Sequence, residues 1–141
     1  MNEPPVLARI RTRNKAKGFT LTELVIVIAI VALLVALAVP SFSAYARKGK
    51  RAEAQQLLMN WANNQEIWRA NNTTYADTDD IAAPSHEVYT FTVGDVSATS
   101  FTLTATATGN QVNDKDKGVS CTPLTLDEAG NRGPAAGCWG R

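Results

Sequence analysis

The sequence predicts an α+β protein: a long N-terminal helix, membrane-embedded in its first half, packed on a small antiparallel sheet of three to four strands with a disulfide-closed C-terminal loop. Three observations predict it. An apolar run from Leu24 to Pro40 contains no charged or hydroxyl residue. An amphipathic stretch follows it, and beyond that apolar and hydroxyl residues alternate. At 141 residues there is room for one globular domain at most. The chain divides into a basic leader (1–18), the membrane-embedded half of a stem helix (19–40), its amphipathic half (41–72) and a head (73–141).

The leader carries Arg9, Arg11, Arg13, Lys15 and Lys17 against the single acid Glu3. The whole chain has 14 basic and 13 acidic residues, so 9 basic and 12 acidic residues follow the leader. The basic character belongs to the leader. Bulk charge therefore gives the head no attraction for nucleic acid.

Extended back to Phe19, the apolar run covers 22 residues, roughly 33 Å of helix. That is enough to cross a hydrocarbon core of about 30 Å. The run is apolar on every side, so one-sided packing on a soluble domain does not explain it. The competing reading is a conventional secretory signal, with Ala36-Leu37-Ala38 as its cleavage site. The length of the run and the acid at its start favour a retained anchor. That acid is Glu23. A carboxylate at the edge of a membrane helix is costly unless it stays at the interface or finds a partner, so Glu23 is a candidate functional residue.

The stretch Lys17-Gly18-Phe19-Thr20-Leu21-Thr22-Glu23, followed by LVIVIAIVALL, resembles the prepilin signature of type IV pilins and type II secretion pseudopilins. The resemblance implies that a membrane prepilin peptidase cuts between Gly18 and Phe19, and that Phe19 is then N-methylated. Glycine at the cut leaves the backbone bare for close approach. Cutting before the apolar run keeps the helix on the processed protein. The resemblance also implies that Glu23 pairs with the Phe19 amine of a neighbouring subunit. Burying either charge alone is unfavourable, whereas burying both partly compensates, so the pair sets the register of stacked stems. Thr22 departs from the Leu or Ile more common there.

Past Pro40, which should kink or loosen the helix, the pattern is amphipathic. Ala54, Leu58, Trp61 and Trp68 follow helical spacing, widened by Leu57 and Ala62. The predicted helix runs from Phe19 to Ala70. Trp61 and Trp68 are read as core rather than as a ligand platform, and Arg47–Arg51 as the point where the stem leaves the bilayer rather than as a contact for phospholipid head groups or DNA.

Residues 71–87 read as a connecting loop. Asp77, Asp79 and Asp80 lack the glycine turn and terminal glutamate of a calcium loop. His86 has no catalytic partner in view and reads as an ordinary surface or loop residue. Strands are expected at Val88–Val93 and Ser100–Ala107, with a weaker third at Val119–Leu126 after a polar stretch. A fourth strand is not readable.

Cys121 and Cys138 are the two cysteines. Two thiols far from the single histidine make a poor zinc site, so a disulfide is expected, against the alternative of two buried thiols. It would close a loop of about 18 residues, worth roughly 3 kcal/mol in the chain-entropy model, and it implies an oxidising compartment. The order Cys121, Leu124-Thr125-Leu126, Gly130, Cys138-Trp139 resembles the C-terminal loop of PilE-type minor pilins.

No nucleophile–base pairing, phosphate-cradling loop or metal cluster is readable, so neither an enzyme nor a cofactor is expected. The predicted function is a structural, minor subunit of a type IV pilus. It would be stored in the inner membrane with its head periplasmic, then assembled into the surface pilus. Its expected partners are other pilin subunits through the stem helix, the prepilin peptidase and methyltransferase, and the inner membrane. Two alternatives are a type II secretion pseudopilin and a minor pilin that captures DNA. Lys115, Lys117, Arg132 and Arg141 are the head's candidate DNA contacts, and the acidic balance disfavours them.

Overall fold

The computed structural model describes residues 18–140. The basic side chains of the leader and Arg141 lie outside the described residues. In chain order the elements are helix α1 (Leu21–Arg69) and strands β1 (Tyr89–Gly94), β2 (Thr102–Ala107), β3 (Lys115–Asp116), β4 (Val119–Ser120), β5 (Leu124–Asp127) and β6 (Arg132–Gly133). Two 3₁₀ turns, Gly109–Asn113 and Ala136–Trp139, complete the set. The residues divide into two compact units with the boundary between Ala38 and Val39.

In the first unit, α1 begins at Leu21 rather than Phe19. Thr20 is the reason. Its Oγ1 accepts the backbone N–H of Glu23 at 3.1 Å, which satisfies one of the donors every helix start leaves unpaired. Every side chain from Phe19 to Ala38 is exposed. The helix is long and apolar enough to cross a membrane.

The second unit begins on the same helix. α1 runs through Pro40 unbroken, so the expected loosening is not expressed as a break. Ser43 Oγ donates to the Pro40 carbonyl at 2.9 Å. The buried stripe of α1 is Arg51, Ala54, Leu58, Trp61 and Gln65. Trp61 is core as expected, but Trp68 is only half-buried. Gln65 takes the last buried place because its amide is answered on both sides. It donates to the Ala76 carbonyl at 2.9 Å and accepts the Ala76 N–H at 2.8 Å, which ties the following loop back to the helix.

The main sheet is antiparallel, in the order β1-β2-β5-β6. Its register runs from Tyr89↔Ala107 to Gly94↔Thr102, then from Thr102↔Asp127 to Ala105↔Leu124. The alternation seen in the sequence sends Tyr89, Phe91, Leu103, Ala105, Leu124 and Leu126 to one dry face. That face closes on Ala54, Leu58 and Trp61. Each large side chain so buried is worth about 1.5–3 kcal/mol.

The expected third strand is divided. Val119–Ser120 pairs with β3 in a separate small sheet, while Leu124–Asp127 joins the main one. Between them, Cys121 is bonded to Cys138 and Pro123 has no N–H for a ladder. The fourth strand, β6, is only two residues long, too short to show a pattern. The expected disulfide is present, with Cα atoms 5.4 Å apart.

Candidate functional site

Candidate chemistry occurs at one place in each unit. In the first unit, Phe19 is 83% exposed and Glu23 lies in the first turn of α1, where helix polarity favours an anion. A Cβ on Gly18 would meet nothing within 4 Å. Among the described residues the fold places no demand for glycine there. Thr20 is a functional neighbour that sequence reasoning missed. Its signal was the Thr-x-x-Glu spacing of a helix N-terminus.

The second place is the disulfide-closed end of the head. β3 and β4 are joined by Lys117-Gly118, with φ of 47° and 87°. Two left-handed residues in succession make a type I′ turn, whose twist suits a hairpin. The register is Lys115↔Ser120 and Asp116↔Val119, so Asp116 and Val119 share one face and Lys115 takes the other. Lys115 and Lys117 are exposed. Arg132 of β6 is also exposed, and its guanidinium lies 5.2 Å over the Trp139 ring. The indole Nε1 of Trp139 donates to the Gly133 carbonyl at 2.6 Å.

The last 3₁₀ turn touches both β3 and β6. Lys117 borders this turn across a groove and Arg132 lies over its Trp139, while Lys115 faces the other side of the hairpin. Between hairpin and turn lies a groove of about 350 Å³, lined by Asp116, Lys117, Val119, Ala136 and Gly137 among others.

A polar frame holds this end against α1. Arg51 Nη1 and Asp114 Oδ2 lie 2.9 Å apart, each side chain 4% exposed. The Asp114 carbonyl accepts the Cys121 N–H at 3.0 Å. Gln111 Nε2 donates to the Arg47 carbonyl at 2.9 Å and to the Tyr89 hydroxyl at 3.1 Å. Burial pushes the Tyr89 phenol upward in pKa. Gln55 Nε2 donates to the Cys138 carbonyl at 2.6 Å. The expectation that Arg47–Arg51 simply marks an exit from the bilayer is thus corrected at Arg51, which is part of the head's interior.

Lys50 is also engaged, with Nζ 3.4 Å from both Glu53 and Glu87. His86 Nε2 lies 3.1 Å from Glu53, and its Nδ1 accepts the Val88 N–H at 3.2 Å. Foremost the His86 hydrogen bond, and then Lys50, hold the Glu53 carboxyl below its ordinary range. Glu53 and Glu87 raise the Lys50 ammonium. His86, read from sequence as an ordinary surface or loop residue, has its side chain 7% exposed and ties loop to helix. Asp77 Oδ1 accepts the N–H groups of Asp79 and Asp80 at 2.8 and 3.2 Å. Among the described residues no group suits a metal ion.

Comparison with known proteins agrees with this anatomy. A family profile described as the prokaryotic N-terminal methylation motif matches residues 13–39. The PilE1 type IV major pilin of Neisseria gonorrhoeae is 33% identical over 122 residues, 82% of this chain and 72% of that protein. A fimbrial protein of Moraxella nonliquefaciens is 38% identical over 77 residues, covering 55% of this chain and 50% of its own. A solved type IV pilin from Shewanella oneidensis superposes with a TM-score of 0.55 at 29% identity, covering 67% of this chain and 99% of that one. Fold and likenesses together define a type IV pilin, a structural subunit of pili at the cell surface. A second profile, described as type IV minor pilin ComP, DNA uptake sequence receptor, matches residues 40–125. The chain belongs to that minor-pilin family.

Proposed function

We propose that this pilin is a minor subunit that captures DNA at the pilus surface through the disulfide-closed end of its head. The observation that carries the reading is that the exposed Lys117 and Arg132 both border the Ala136–Trp139 turn, with Lys115 exposed on the same hairpin. An acidic net balance does not oppose this, because phosphates respond to local charge within about 8 Å at physiological salt. Lys117 supports it further. Its φ of 47° is one that lysine adopts at a cost, which argues for a use of the side chain at the hairpin tip.

The test is binding of a fluorescent 20-base-pair duplex by the full chain in detergent micelles. Three phosphate contacts give a slope of log affinity against log salt of about −2.7. Replacing Lys115, Lys117 and Arg132 together by glutamate is expected to abolish binding. A triple variant that binds as tightly as the unmodified chain sinks the reading.

The stem serves assembly. In this reading the leader is cut between Gly18 and Phe19, Phe19 is N-methylated, and the subunit is stored in the inner membrane. The N-terminal methylation motif matched over residues 13–39 supports that reading. Glu23 then pairs with the Phe19 amine of a neighbouring subunit as the stems stack, with Pro40 in the same packed helix.

A further inference from the structure

We infer that the Gly109–Asn113 turn is a foot that rests on the bilayer, beside Arg47 and Lys48, which bind the phosphates of anionic lipid headgroups. The inference rests on the inner-membrane storage proposed above. Beyond Pro40 the chain stays uncharged through Ala46. Those six residues add roughly 9 Å of helix, and a headgroup layer is about 5–8 Å deep. With Pro40 at the edge of the hydrocarbon, Arg47 and Lys48 come at the level of the lipid phosphates. Phe42 and Tyr45 precede them on the helix, 73% and 77% exposed, and a tyrosine suits the boundary between membrane and water.

The fold separates the basic residues of this stretch. Arg51 is paired with Asp114, and Lys50 lies between Glu53 and Glu87. Among the described residues no ion pair engages Arg47 or Lys48. The fold also brings a distant segment to the same level. Gln111, 64 positions further on, donates from Nε2 to the Arg47 carbonyl at 2.9 Å. Gln111 is buried, whereas the next residue, Val112, is 47% exposed. Neither residues 39–52 nor residues 108–113 meet an anionic surface with a carboxylate, apart from the paired segment that follows, since both stretches lack acids up to Ala52 and Asn113 once Lys50 and Arg51 are accounted for. An exposed valine beside free cations fits an interface at which apolar groups enter the acyl boundary and cations stay with the phosphates. Arginine can hold a phosphate by two parallel hydrogen bonds. Lipid phosphates, unlike those of DNA, lie at this depth along the helix.

Both native cysteines are held in the disulfide, so a single added cysteine takes a fluorophore selectively. Full-chain variants Val112→Cys, Val96→Cys and Val31→Cys are labelled and placed in nanodiscs of phosphatidylcholine, alone or mixed equally with phosphatidylglycerol. Nitroxide quenchers are carried on the headgroup or on the acyl chain. Val96 serves as the distant control, because its loop is tied to the far end of α1 by Arg69 Nε donating to the Ala98 carbonyl at 2.8 Å. The Val31 label should be quenched from the acyl chain, the Val112 label from the headgroup, and the Val96 label from neither. Headgroup quenching at Val112 should strengthen with phosphatidylglycerol. There, Arg47→Gln and Lys48→Gln should each lower the docked-to-free ratio about fivefold, with thermal melts unchanged. Quenching at Val112 no greater than at Val96 overturns the inference and leaves membrane storage standing. So does quenching at Val112 that is indifferent both to phosphatidylglycerol and to the glutamine replacements. A Val31 label that no lipid quenches overturns membrane storage itself, and this inference with it.

Discussion

Arg51 and Asp114 stand 63 positions apart in sequence and meet at 2.9 Å out of water. Two buried opposite charges roughly offset each other's desolvation, while either alone is left uncompensated. Asp114→Ala should therefore cost about 3–5 kcal/mol of stability, and the double replacement Arg51→Met, Asp114→Leu much less. Urea denaturation of the single and double variants decides it. Equal losses in both would mean that the pair matters through packing and not through charge. Sequence reasoning grouped Arg51 with its basic neighbours, yet it falls on the same helical stripe as Ala54, Leu58 and Trp61. The spacing was visible, but its partner was not, because nothing local marks Asp114 as the one acid turned inward. The misplacing of Trp68 has a similar cause. Apolarity favoured the tryptophan, and a two-way amide bond to Ala76 favoured Gln65.

At the scale of elements, legibility followed length. β1 and β2 are six residues each, long enough for a period of two to show, and their expected positions held to within two residues. The hairpin β3–β4 was unreadable because Lys-Gly is not among the usual type I′ pairs and each strand has two residues. What fixes such short pieces is the cross-link and its surroundings. The disulfide closes the segment that holds β5, β6 and the last 3₁₀ turn, and Trp139 then braces that turn on Gly133. Replacing Cys121 and Cys138 together by serine should remove roughly 3 kcal/mol of stability. It should weaken DNA binding further than the loss of fold alone, since the turn that Lys117 and Arg132 border is freed. Thermal denaturation and duplex titration well below the melting temperature separate the two effects. Unchanged affinity in the folded serine variant would show that the hairpin holds its lysines without the turn.

For the whole molecule, the proposed life cycle asks one sequence to serve as membrane anchor, filament stem and surface head, and the apolar stem was the most legible part. Composition over tens of residues carries that signal, and no distant partner is needed to read it. Glu23 is the one acid in the exposed apolar helix of the first unit, and the proposed assembly gives it a partner in a second copy of the chain. In the proposed processing, removing the leader creates a cationic amine at Phe19, four residues before an acid whose own N–H is capped by Thr20. In hydrocarbon an unpaired charge is costly, so under the proposed pairing stems that stack out of register are penalised and stems in register are not. Glu23→Ala should leave cleavage intact, with mass spectrometry showing a processed chain that begins at methylated Phe19. Incorporation into sheared pili should fall sharply, while the membrane pool of processed subunit rises. Wild-type levels of the Glu23→Ala subunit in pili would refute the register role, and a processed chain beginning at Val39 would refute the pilin-type cleavage.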